Sequence, residues 1–239
     1  PLASSGIGML TWVTWLVLAP LSAIGTLMDT SVPFLFTTLG AVGTMLLLLP
    51  ISLAVVNLSM SMSGRWSLLF GTGPIAFASV ALAFLLAVGL LEAIGAIHSV
   101  RLFVGTEWHN GLFLWSAYGA FTMAALAFTE HALPRLLRRE WGGGVLSAAQ
   151  LWLIFGGATL AGFALMAGGL AEGSLLAQAA GEEGIDAGLL GYRVAALLGV
   201  GLLALGGLAT VVNLFAAYTS AERADYAIPG QSATASAGH

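Results

Sequence analysis

The side chains able to do proton or metal chemistry are few, and their spacing is informative. Glu92 lies in LLEAIGAIHSV, inside an apolar stretch, with His98 six residues further on. Six residues turn an α-helix by about 600°, so the two side chains point to different sides and form no obvious pair. An ionisable group at membrane depth is a functional hypothesis by default. Glu92 is then either a proton-conducting or ion-binding carboxylate, or a hydrogen-bonded Glu in a helix interface. Glu130 and His131 lie one turn from Arg135 and are expected to snorkel towards water. Asn57 and Asn213 are expected to hydrogen-bond between helices. Four His (98, 109, 131 and 239) and no Cys occur in the chain. The lack of Cys removes disulfides, thiolate zinc sites and iron–sulfur clusters, so any metal chemistry must draw on the four imidazoles.

The elements that carry these residues follow from composition. Of 239 residues 59% are hydrophobic and 8% charged, against about 25% charged in soluble domains. This is an all-α integral membrane protein. A bilayer core of about 30 Å needs about 20 apolar residues in helix. Six stretches qualify: roughly Gly8 to Met28, Val32 to Met60, Pro74 to Val100, Trp108 to Leu133, Leu146 to Leu170 and Leu189 to Tyr218. Pro20 and Pro50 lie inside the first two and are kink sites; Pro33 and Pro74 sit at span starts, where the missing N–H costs nothing. Residues 1–220 are expected to form a single transmembrane domain, and 221–239, rich in Ser, Ala and Gly, a disordered tail in which His239 has no role. No positively charged stretch precedes the first apolar run, and Pro1 is the kind of residue exposed when an initiator Met is removed. The expectation is a separate gene product without a cleaved signal.

All seven cations are Arg, and the net charge of −4 comes with no basic patch, so nucleic acid is not an expected partner. The connection 134–144 carries Arg135, Arg138 and Arg139 against Glu140, whereas the connection 172–188 carries Glu172, Glu182, Glu183 and Asp186 with no cation. The positive-inside rule makes the first cytoplasmic and places both termini inside, in a multi-pass protein of the inner (cytoplasmic) membrane. Arg65 and Arg223 agree with that orientation; Arg101 and Arg193 fall outside. Gly156, Gly157, Gly162, Gly199, Gly201, Gly206 and Gly207 offer surfaces where helix backbones can approach closely. Trp12, Trp15, Trp108, Trp141 and Trp152 lie near span ends and are expected to anchor the bundle at the interfaces.

Three passages resemble a known family: LPISLAVVNLSMSMSGRW (Leu49 to Trp66), the Thr106-Glu107-Trp108 tripeptide and ALPRLLRREW (Ala132 to Trp141). They are similar to the second half of the catalytic subunit of cbb-type cytochrome c oxidases and the related nitric oxide reductases. These are haem-copper oxidase superfamily members with a twelve-helix bundle. In that family a Thr-Asp-Trp-like element opens the tenth helix and a Pro-Arg-Leu…Arg-Glu-Trp element closes it at a similar separation. The resemblance runs from about Leu21 to Trp141, about half of the chain, and implies that the six spans correspond to family helices 7–12.

The family's metal ligands are degenerate here. A His-His pair near the end of the seventh helix binds copper in the family; the equivalent region, Leu21 to Thr30, reads LSAIGTLMDT, with Gly25 and Thr26 at the ligand positions. The first His of the chain is His98, so no register supplies that pair. The family's second site is a His-x-His in the tenth helix, which a gapless register places on Leu112 and Leu114. A shift of three residues would place His109 on the first position and Gly111 on the second, leaving one ligand. Glu92 lies within two residues of a functional glutamate of the cbb-type enzymes, so the resemblance implies a carboxylate inherited from a proton or cation site. Haem iron needs an imidazole or comparable axial donor, and copper of this kind several imidazoles converging on one point, neither of which leucine supplies. The reading is a structural or auxiliary membrane subunit with no cofactor in this chain, in a respiratory haem-copper oxidase or nitric oxide reductase complex. It would sit beside other membrane subunits, among them a catalytic chain carrying haem b and copper. One alternative is half of a split catalytic subunit in which His109 serves as a haem ligand. Another is a small proton channel or transporter using Glu92, which lacks the inverted repeat of such proteins.

Overall fold

The computed structural model describes residues 4–24, 34–64, 66, 73–97, 106–137, 144–178 and 181–219. Helix α1 (Ser5–Ala23) starts where the Ser4 hydroxyl accepts the Ile7 N–H at 3.3 Å, satisfying one of the amides that a helix start leaves open. The second span is two helices, α2 (Phe34–Leu46) and α3 (Leu48–Ser61). Pro50 explains the break: its ring crowds the carbonyl four residues back, that of Leu46, and it has no N–H to offer. Pro20, by contrast, is accommodated within α1. Helix α4 (Pro74–Gly95) opens on Gly73 at φ 117°, a conformation that favours glycine, followed by Pro74 in the first turn. The fourth span is continuous but not uniform, running from α5 (Thr106–Leu114) through a π-helical segment (Trp115–Thr122) into α6 (Met123–Leu137). Two long helices complete the described chain, α7 (Gly144–Ala177) and α8 (Glu182–Thr219).

Six helices among the described residues are long and apolar enough to cross a membrane, in the six places the composition indicates. Three boundaries differ from expectation. Helix α4 ends at Gly95, with the Ala96 N–H closing on the Glu92 carbonyl at 2.9 Å, so Glu92 occupies the last helical turn and not the interior of a longer span. Pro134 lies inside α6, which continues to Leu137. The acidic stretch read as a connection is largely helical: Glu172 belongs to α7, and Glu182 and Glu183 form the first turn of α8, where the helix dipole favours negative charge. Pro33, Arg65, His98, Arg101, Arg138, Arg139, Glu140, Trp141 and the tail from 220 onward lie outside the described residues.

Successive spans are neighbours. Helix α1 packs on α2 and α3, those on α4, α4 on the π segment and α6, α5 on α7, and α7 on α8. The core sits where the third, fourth and fifth spans meet, around Phe77, Phe84, Leu112, Trp115, Met123 and Ile154. The Trp115 ring meets Phe84 and Phe163 edge-on, at centroid separations of 5.4 and 4.7 Å, the arrangement that ring quadrupoles favour. Lipid gives helices no hydrophobic reason to associate, so close van der Waals contact has to do it. The α7–α8 crossing is built on Gly157 and Gly199. A Cβ at Gly199 would stand 2.5 Å from the Ala161 nitrogen and 2.8 Å from the Gly157 carbonyl oxygen. Gly162 and Gly206 are also close-approach sites, whereas Gly156, Gly201 and Gly207 face open space. Trp108 is not an interfacial anchor: it is buried against Gly169, a position with no side chain to displace it. Trp12 and Trp152 are exposed on the bundle surface.

Candidate functional site

Polar side chains gather at the two ends of the bundle. At the acidic end, the Arg193 guanidinium of α8 binds Glu107 of α5 at 3.0 Å and Asp186 at 2.9 Å. Glu172 of α7 accepts the Glu107 backbone N–H at 3.0 Å, and Asn110 donates to the Glu107 carboxylate at 3.4 Å. The fourth, fifth and sixth spans are thus tied together by charge. The same contacts account for an arginine on the side that the charge rule leaves poor in cations, because Arg193 is neutralised by two carboxylates. Its side chain is well exposed, so the network fixes geometry more than it adds stability.

Glu92 reaches this end from α4. It is half-buried, and the imidazole within electrostatic range of its carboxyl is that of His109, from the first turn of α5. His109 itself is exposed. The sequence separation of 17 between the two concealed this proximity, which depends on how α4 and α5 approach each other.

The arginine-bearing end holds a second cluster. His131 is exposed and paired with Arg135, as a snorkelling side chain would be. Glu130 departs from that expectation: at 6% exposure it points into the bundle, where Ser147 of α7 donates a hydrogen bond to it. Adjacent helical positions face about 100° apart, so Glu130 and His131 cannot share one environment. Gln150 and Asn213 are both fully buried, and Asn213 donates to Gln150 at 3.3 Å across the α7–α8 interface. Asn57 likewise joins helices, exchanging two 3.1 Å hydrogen bonds with the Ser4 backbone. Both asparagines therefore bond as expected; Gln150, the partner of Asn213, is the buried polar residue that the sequence reading missed.

Leu112 and Leu114, which the resemblance sets at haem-ligand positions, lie in α5, before the π segment. Leu112 is 1% exposed and belongs to the core, while Leu114 is half-buried. Gly25 and Thr26, at the copper-ligand positions, lie outside the described residues. The π segment is marked by the Thr122 hydroxyl donating to the Ala117 carbonyl five residues back at 2.8 Å, and by Phe84 pressed against Gly119. Such segments concentrate at functional sites, and no hydrophobic periodicity announced it.

The imidazoles of the described residues do not converge as a copper centre requires. His109 and His131 stand about 33 Å apart along one span at 1.5 Å per residue, so they cannot converge on one centre. No group of three or more His, Cys, Asp or Glu able to hold a metal occurs among the described residues. A cavity of about 400 Å³ between α3, α4 and α6 is lined by apolar side chains apart from Ser79 and His131, and that imidazole is engaged with Arg135.

Residues 2–201 match the family described as Cytochrome C and Quinol oxidase polypeptide I. The chain belongs to the haem-copper oxidase subunit I family. No curated protein matches it. Membership agrees with the all-helical, multi-pass architecture and gives the chain a respiratory oxidase setting in general terms.

Proposed function

We propose that this chain is a structural or auxiliary membrane subunit, without its own cofactor, of a respiratory complex of the cbb-type oxidase or nitric oxide reductase kind. Its six spans correspond to helices 7–12 of the catalytic subunit. The observation that carries this reading is Leu112: a position that would present imidazole to haem iron holds an aliphatic side chain sealed in the hydrophobic core. Filling ligand space with Leu favours close packing and leaves no axial donor. Haem b and copper then reside in a partner chain, with the arginine-bearing end facing the cytoplasm and the exposed apolar faces meeting lipid or neighbouring subunits. The chain itself contributes packing surface and fixed geometry, and no electron-transfer step is assigned to its side chains. Purified alone, it is expected to give a reduced-minus-oxidised visible spectrum with no b-type band. A band stoichiometric with protein would end this proposal.

A split catalytic subunit remains a distinct second reading, and one observation favours it: His109 is exposed, so it could reach a haem held by another chain. His109→Ala separates the two. Under the structural reading, haem content of the assembled complex is unchanged, whereas a ligand role requires loss of one haem per complex. Glu92, in the last turn of α4, also offers a carboxyl for proton exchange at the acidic end. Glu92→Gln is expected to leave assembly and haem content intact while slowing turnover-coupled proton movement. Unaltered proton movement in that variant would remove Glu92 from any path.

A further inference from the structure

Three spans place buried polar groups at one depth near the arginine-bearing end. Glu130 lies seven residues before the end of α6, Gln150 six after the start of α7, and Asn213 six before the end of α8. That is about 9 to 11 Å from each helix end at 1.5 Å per residue. Ser147, which donates to Glu130, is three residues before Gln150 and therefore on the same face of α7. All four side chains are buried, and a polar atom at this depth without a partner is costly.

Two such atoms are present. Gln150 Nε2 and Asn213 Oδ1 have no hydrogen-bond partner although both side chains are fully buried. The conclusion does not depend on how the amides are oriented. With one hydrogen bond between the two side chains, turning both amides over still leaves one NH2 group and one carbonyl oxygen without a partner. A cation would satisfy the acceptor and be repelled by the donor. A water molecule suits both, accepting from one and donating to the other, and its second hydrogen can reach the lone pairs that Ser147 Oγ retains while donating to Glu130.

We propose that the last three spans enclose a hydrated proton-exchange site, in which internal water bridges Gln150 and Asn213 and connects through Ser147 to the Glu130 carboxyl. The Ser147 hydroxyl gives its proton to the Glu130 carboxylate as its oxygen takes one from the internal water, which is made good by a proton from solvent water, and the reverse sequence returns it. This site lies at the opposite end of the bundle from Glu92 and does not depend on the oxidase-subunit reading, because it rests only on these four side chains.

Infrared spectra of the full chain in lipid nanodiscs, recorded on transfer from H2O to D2O, test it. A carboxyl C=O band that Glu130→Gln removes is expected, and it should shift on deuteration as fast as the solvent is exchanged. Gln150→Met and Asn213→Leu preserve side-chain size and remove the water's anchors. Each is expected to slow the shift at least about tenfold, the equivalent of one hydrogen bond. Ser147→Ala, a smaller change, should slow it likewise and decides the matter if the amide variants do not fold. The proposal is overturned if no band depends on Glu130, or if exchange runs at the unmodified rate in these variants, as a dry pair of reciprocally bonded amides requires.

Discussion

Replacing Leu112 by Ala is expected to destabilise the bundle by about 2–5 kcal/mol, the range for removing a fully buried aliphatic side chain. Leu112 is 1% exposed and lies in the cluster with Trp108, Trp115 and Met166, and its neighbours are held by helices on both sides, so the void cannot collapse cheaply. Thermal melting in detergent, followed by loss of the far-ultraviolet helical signal, measures the effect. A loss below about 1 kcal/mol would mean that this part of the core repacks freely. The companion variant tests the proposed function: Leu112→His places an imidazole where that proposal sets a haem-ligand position. It is expected to bury an unpaired polar ring at similar cost and to gain no stoichiometric b-type spectrum when reconstituted with haem. Haem binding by that variant would show that the surrounding pocket is still shaped for a porphyrin and that one side chain alone had closed it.

The second large effect is a contrast between two glycines of α8. Gly199→Ala is expected to cost about 1–3 kcal/mol, as overpacking does. The added methyl would meet backbone atoms, the Ala161 nitrogen at 2.5 Å and the Gly157 oxygen at 2.8 Å, which cannot rotate aside as a side chain would. Gly201→Ala makes the same chemical change two residues on, where nothing lies within 4 Å. There the methyl only restricts the unfolded chain and improves helix propensity, worth up to about 1 kcal/mol in favour of folding. Opposite signs in paired melting curves are the expected result. Equal effects would mean that the α7–α8 interface is not held by backbone approach.

These contrasts show how far the sequence could be read. Span number and approximate position were legible because they need only composition and length: 20 apolar residues cannot be anything but a spanning helix in a chain this short of charge. The family relationship was legible in short ordered motifs such as TEW and ALPRLLRREW, which mark the two ends of one helix. Glycine content indicated close packing but not its location; Gly157 and Gly199 touch a neighbour while Gly156 and Gly201 do not, a difference set by the rotation of each helix about its own axis.

The candidate sites needed that rotation too. Glu130 and His131 are adjacent and chemically similar in their distance from the arginines, yet one faces Ser147 inside the bundle and the other Arg135 at the surface. Glu92 was visible as an isolated carboxyl, but its depth depended on where α4 stops, and its proximity to His109 on how two spans lean together. What the sequence determined by itself was the solvent of this protein and its number of crossings, because these depend on which residue types are present. Only the tertiary structure decided which polar groups meet, since that depends on helix phase and crossing, to which many residues contribute and which no single stretch encodes.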